Sequence, residues 1–140
     1  MELNATAEAV SSADPQRVWE RLVDGLHWAD WSATAEWMVV EGPLEAGGIV
    51  TIKRKRSRQT AYRIEEAAAP SRFALLLTFG AAARMRLAWT LEPEGAGTRI
   101  RQTIETGGPL RRWLCVPLAG RGAVAWAGDP ARLAEIASSE

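Results

Sequence analysis

The sequence predicts an α+β fold in which a curved antiparallel sheet of seven strands wraps around a long C-terminal helix, with two short helices between strands 1 and 2. Three observations carry that expectation. From Ala35 onward the chain is a succession of segments whose apolar residues recur at every second position, the period of a strand with one buried face. The breaks between them are turn-sized and rich in Gly and Pro, so neighbouring segments pair antiparallel as a meander. Two punctuation marks, Asp14-Pro15 and Gly107-Gly108-Pro109, stand where helices should begin. The sheet's apolar rows need a cover, and the C-terminal helix is the natural one. The space between sheet and helix is where a ligand would sit.

Taken in order, Glu2 to Ser12 alternates weakly, with Leu3, Ala5, Ala7 and Ala9 on one side, and reads as strand 1. Its small inner residues leave room beneath the sheet or permit close contact with a helix. Asp14 is an N-cap and Pro15 occupies the first helical position. Val18, Trp19, Leu22 and Val23 share one helical face, and Gly25 is a C-cap candidate. Leu26 to Trp31 reads as a second helical turn with Trp28 and Trp31 on one side. Ala35 to Glu41 is apolar enough for a buried strand. In Ile49 to Lys55, Val50, Ile52 and Arg54 share a face opposite Thr51, Lys53 and Lys55. Arg58 to Glu66 sets Thr60, Tyr62 and Ile64 against Ala61, Arg63 and Glu65. Phe73, Leu75, Leu77 and Phe79 make the most apolar row of the chain. Met85, Leu87, Trp89 and Leu91 follow; Pro93, Gly95 and Gly97 mark a hairpin loop, and Thr98, Ile100, Gln102, Ile104 and Thr106 return. Pro117, Gly120, Gly122, Gly128 and Pro130 argue against one straight C-terminal helix, and Asp129-Pro130 repeats the Asp14-Pro15 signal, so a kink or break is expected there.

The 140 residues suit a single domain spanning 1–140, large enough to bury roughly two-thirds of its unfolded surface. Lys plus Arg equals Asp plus Glu at 17 each, so no net charge draws the chain to nucleic acid or to an anionic membrane. No apolar run is long enough to span a bilayer or serve as a secretion signal. One cysteine, Cys115, excludes an internal disulfide, and a cytoplasmic location is the simpler reading. One His and one Cys far apart make no His/Cys metal site. Seven tryptophans beside two phenylalanines and one tyrosine are the unusual feature: indoles either line a pocket or build a bulky core.

Four segments carry a family resemblance: ADPQRVWERLVD (Ala13 to Asp24), HWADW (His27 to Trp31), PSRFAL (Pro70 to Leu75) and WTLEPEGAGTRIRQTIETGGPL (Trp89 to Leu110). In these segments and their order the chain resembles the START-like (SRPBCC) superfamily, and within it the bacterial polyketide cyclase/dehydrase group with the Bet v 1-like helix-grip fold. The positions maintain a fold and carry no chemistry. The resemblance implies a cofactor-independent protein that holds a small hydrophobic or aromatic, polyketide-like or lipid molecule. It extends to aromatase-type cyclases, carriers and receptors, so it does not decide the activity.

Polar groups on expected inner faces are the candidates for chemistry. Arg54 suits a carboxylate or enolate oxygen, because its guanidinium stays charged and offers several donors. Tyr62 suits proton donation or a hydrogen bond to a ketone, and Gln102 suits orienting a carbonyl. Ser11, Thr78 and Arg86 stand behind them. His27 is the one side chain with an ordinary pKa near neutrality, placed in the turn beside Trp28. The bland alternatives are a solvated Arg54 in the basic run Lys53 to Arg58, a core Tyr62 with its hydroxyl at the rim, and a surface His27. The expected pocket lining is Trp28, Trp31, Trp37, Phe73, Leu75, Phe79, Met85, Trp89, Gln102 and Trp113. Ligand binding is the leading reading, cyclisation or dehydration by Arg54, Tyr62 and His27 the alternative, and an interaction module filled by its own tryptophans the third. The basic run reads as a hairpin tip or a patch for an acidic partner rather than a nucleic-acid site, no metal or cofactor is expected, and the other partners are a small hydrophobic molecule and, at most, a second copy in a homodimer.

Overall fold

The computed structural model describes residues 1–115 and 128–139. Seven strands form one antiparallel sheet: β1 (Glu2–Ser11), β2 (Ala35–Glu41), β3 (Ile49–Arg54), β4 (Gln59–Ala68), β5 (Arg72–Phe79), β6 (Ala83–Glu94) and β7 (Gly97–Gly107). Their spatial order is β1-β7-β6-β5-β4-β3-β2. The last six make the expected meander, and β1 joins its end beside β7. The connection from β1 to β2 therefore crosses the sheet from one edge to the other, by way of α1 (Pro15–Val23) and a 3₁₀ segment (Gly25–Asp30). Pairing shifts by one residue between Leu3 and Ala5, between Ala35 and Trp37, and between Ile64 and Glu66. Such bulges bend a strand and raise its twist, which supplies the curvature.

The alternation read from sequence holds along most of the sheet. Ala7, Gln102, Trp89, Phe73 and Ala67 stand side by side across β1, β7, β6, β5 and β4 and form one row of the inner face. The outer face of β6 and β7 carries Arg86, which pairs with Glu65 and, at 3.0 Å, with Glu105. Pro93, expected in the loop, lies within β6 and pairs with Thr98. The pairing of β6 with β5 ends at Thr90, so the missing N–H of Pro93 breaks no ladder bond.

α1 begins as expected. The Asp14 carboxylate accepts the Arg17 N–H at 2.9 Å, and Val18, Trp19 and Leu22 are buried. Its C-cap is Asp24, not Gly25. Gly25 instead opens the 3₁₀ segment where a Cβ would stand 1.9 Å from the Met38 carbonyl oxygen, so only glycine lets that segment lie on β2.

In place of the one long C-terminal helix expected, the described residues hold two shorter ones, α2 (Arg111–Leu114) and α3 (Asp129–Ser138). The stretch with Pro117, Gly120 and Gly122 lies outside the described residues. The break expected at Asp129-Pro130 is the start of α3, although its N-cap is Gly128 and Asp129 points elsewhere. α3 is fastened to the end of β1: the Ser11 hydroxyl donates to the Ala134 carbonyl at 2.9 Å and meets the Ser138 hydroxyl at 2.8 Å. No described helix is long and apolar enough to cross a membrane.

Candidate functional site

Arg54 and Tyr62 come together on the inner face. Val50 of β3 lies opposite Tyr62 of β4, and Ile52 opposite Thr60, so both side chains project to the side on which Val50, Ile52 and Ile64 are buried. The Arg54 guanidinium donates to the Thr34 hydroxyl at 3.0 Å and to the Tyr62 hydroxyl oxygen at 3.4 Å. Arg54 is half-buried and Tyr62 is 3 % exposed. Because the Tyr62 oxygen accepts from Arg54, its own hydrogen is left to donate. A cation and a hydroxyl donor thus converge on an apolar wall, the arrangement that holds an anionic or carbonyl oxygen.

Thr34 belongs to the short link between the 3₁₀ segment and β2, and that link is held from below by α3. The Asp129 carboxylate accepts the Ala33 N–H at 3.0 Å and pairs with Arg132, whose Nε donates to the Trp31 carbonyl at 2.9 Å. The Ser32 hydroxyl accepts the Ala35 N–H at 3.1 Å. Asp129 is 2 % exposed, and burial pushes its carboxyl above the ordinary carboxylate pKa against the opposing pull of Ala33, Arg132 and Ser32. A polar chain therefore runs from α3 through residues 31–34 to Arg54 and Tyr62. Thr34, Ser32 and Asp129 were not among the residues expected at the site. Asp129 carries only a helix-start signal in the sequence, and Thr34 follows no periodic pattern.

The aromatic wall is continuous. Trp19 meets Phe73 edge-on at 6.1 Å, Phe73 stacks on Trp89 at 5.7 Å, Trp89 meets Trp28 at 5.6 Å, and Trp28 meets Trp31 at 5.2 Å. Trp28, Trp31, Phe73 and Trp89, expected around a ligand, thus touch one another in one chain of rings, with Trp19 added from α1. Leu75 and Met85 are buried on the same inner face and Phe79 is partly buried. Gln102 is buried with its carbonyl oxygen accepting the Trp89 indole N–H at 2.9 Å, so that oxygen serves the wall. The Trp28 N–H reaches the Leu22 carbonyl at 2.7 Å. The Trp31 N–H, by contrast, is buried and has no acceptor among the described residues.

Other expected site residues lie elsewhere. Trp37 pairs with Lys53, on the outer face: the bulge at Glu36 sets the parity of β2, so that Met38 and Val40 turn inward. Trp113 is 80 % exposed on α2, facing away from the wall. Thr78 is exposed, and Arg86 belongs to the outer ion-pair network. Ser11 is buried but spent on α3. His27 is exposed, with Nδ1 3.0 Å from the Asp24 carboxylate, and that hydrogen bond raises its pKa. It does not join Arg54 and Tyr62. The basic run forms the β3–β4 turn, as the hairpin-tip reading had it. Two hollows of about 200 and about 280 Å³ open mainly among outer-face residues, the first around Ala61, Arg63 and Thr78, the second around Glu66, Arg86, Thr103 and Glu105. Among the described residues, no group of three or more His, Cys, Asp or Glu is placed to hold a metal ion.

Known structures share this architecture. Protein NE0264 from Nitrosomonas europaea superposes with a TM-score of 0.73 at 15 % identity, covering 98 % of this chain and 95 % of its own. Ara h 8.0201 gives 0.68 at 11 % identity over 96 % and 97 %. DynU16, of the dynemicin biosynthetic locus, gives 0.68 at 15 %, covering 94 % of this chain and 45 % of its own. At these identities the likeness is one of fold. No curated protein matches the chain in sequence. The family model described as polyketide cyclase / dehydrase and lipid transport matches residues 2–133, which include the Arg54–Tyr62 pair, the aromatic wall and the start of α3. The chain belongs to the polyketide cyclase/dehydrase and lipid transport family.

Proposed function

We propose that the protein binds a small apolar or aromatic molecule bearing a carbonyl or enol oxygen, between the inner face of the sheet and the C-terminal helical region. The observation that carries this reading is the Arg54–Tyr62 pair set on an apolar face. Together they set a cation and a hydroxyl hydrogen within reach of one oxygen. Rings of Trp28, Trp31, Phe73 and Trp89 supply flat apolar surface beside it. The family's description joins polyketide chemistry with lipid transport, and a polyketide-like chain fits both surfaces. Binding is tested by titrating 8-anilinonaphthalene-1-sulfonate, an aromatic anion that fluoresces in apolar sites. Arg54→Lys and Tyr62→Phe should each weaken its affinity about 3- to 10-fold, the worth of one hydrogen bond. Unchanged affinity in the double variant would overturn the assignment.

A second reading is cyclisation or dehydration at the same place, favoured by the direction of the Arg54–Tyr62 hydrogen bond. Arg54 would hold a developing enolate and Tyr62 would give its free hydrogen to the ketone oxygen under attack, with the wall folding the substrate. Tyr62→Phe keeps the ring, so turnover of a poly-β-ketone substrate should fall by about 10²-fold while the fold survives. A pure carrier would show no turnover to lose.

A further inference from the structure

We propose that the corner of the sheet around α2 docks on an anionic lipid bilayer, with Trp113 as its apolar anchor. Trp113 is 80 % exposed and Leu110, one helical turn earlier, is 46 % exposed. One backbone hydrogen bond and one ion pair fix where they stand. The Leu110 N–H bonds to the Ala82 carbonyl at 2.8 Å, so the loop after β7 sits on the turn between β5 and β6. That turn, Gly80-Ala81-Ala82, has no polar side chain. Glu2 of β1 pairs with Arg111 at 2.5 Å and ties the first strand to the same corner.

Charge decides what such a surface fits. The Arg111–Glu2 pair is neutral in sum, and Glu105 is engaged by Arg86 on the outer face. Arg84 and Arg112 are exposed and make no ion pair among the described residues. An exposed indole with two arginines free to reach outward matches a bilayer interface, where the ring enters the headgroup layer and the cations meet lipid phosphates. The chain as a whole is neutral, so no long-range pull exists. Attraction must act within about one Debye length, roughly 8 Å at physiological salt. Such a contact would also set a sheet corner against the source of an apolar cargo, but it stands on the surface alone and does not require the ligand site.

The test is co-sedimentation of the full chain with vesicles of phosphatidylcholine and with vesicles containing phosphatidylglycerol, at low and high salt. Binding is expected only where phosphatidylglycerol is present, and should weaken as salt rises. Trp113→Ala should reduce partitioning about 10-fold, the loss of one buried large side chain. Arg84→Glu with Arg112→Glu should reduce it more than 10-fold, and neither variant should alter dye binding at Arg54 and Tyr62. All three residues are exposed, so the variants should keep the native circular dichroism. Absence of binding to phosphatidylglycerol vesicles at low salt overturns the proposal, as does binding that Trp113→Ala leaves unchanged. Should sedimentation velocity show a dimer that Trp113→Ala dissociates, with no vesicle binding, the corner is a contact between two copies and the membrane reading is wrong.

Discussion

Asp129 is buried at the start of α3, where desolvation disfavours its charge while the Ala33 N–H, Arg132 and Ser32 favour it. Desolvation wins, so its folded pKa lies above its unfolded one. A carboxyl shifted in that direction stabilises the fold fully below its unfolded value, about 3.9, and loses that contribution as pH rises through the folded value. Two substitutions separate charge from hydrogen bonding. Asp129→Ala strands the Ala33 N–H and should cost about 1–3 kcal/mol in urea unfolding. Asp129→Asn keeps an acceptor and sheds the buried charge, so it should cost less, and its stability relative to the native protein should improve as the pH is raised above about 4. Equal damage from both variants would mean that the Asp129 charge opposite Arg132, rather than an acceptor for the Ala33 N–H, is what the site requires. The consequence reaches function, because Asp129 holds the link that carries Thr34, and Thr34 positions Arg54.

The 3₁₀ segment is the element on which the wall depends most. It presents Trp28 to Trp89 and Trp31 to Trp28, and it can lie against β2 only because Gly25 has no Cβ. In Gly25→Ala the new carbon would meet the backbone of Met38, which cannot rotate aside. The segment must lift from the sheet, at about 1–3 kcal/mol or more. Thermal melting should show the loss, and near-ultraviolet circular dichroism should lose intensity as the indole contacts loosen. An unchanged near-ultraviolet spectrum would mean that the tryptophans are held by their mutual packing rather than by the segment.

Across the whole molecule, inner row and helices share one aromatic centre, Trp89. Its ring touches Phe73 and Trp28, and its N–H is satisfied by Gln102 on the neighbouring strand. Trp89→Ala should therefore cost about 3–5 kcal/mol in chemical denaturation, at the upper end for core truncations, because it opens a large space and leaves the Gln102 oxygen unpaired. A cost below about 2 kcal/mol would indicate that the wall relaxes into the gap. The sequence by itself determined the strands, the Asp14 cap of α1, the apolar inner rows and the common face of Arg54 and Tyr62. Each of these follows from spacing within one element or from the parity of two strands joined by a short turn. Only the tertiary structure decided that Trp37 faces outward, since one bulge reverses parity and a bulge leaves no mark in the alternation of hydrophobic residues. It also decided that Trp113 stands clear of the wall, and that Asp129 reaches back 96 residues to the Ala33 N–H. Those outcomes depend on where a distant element comes to rest, and the burial and hydrogen bonding that place it are properties of the assembled sheet and helices rather than of any stretch of chain.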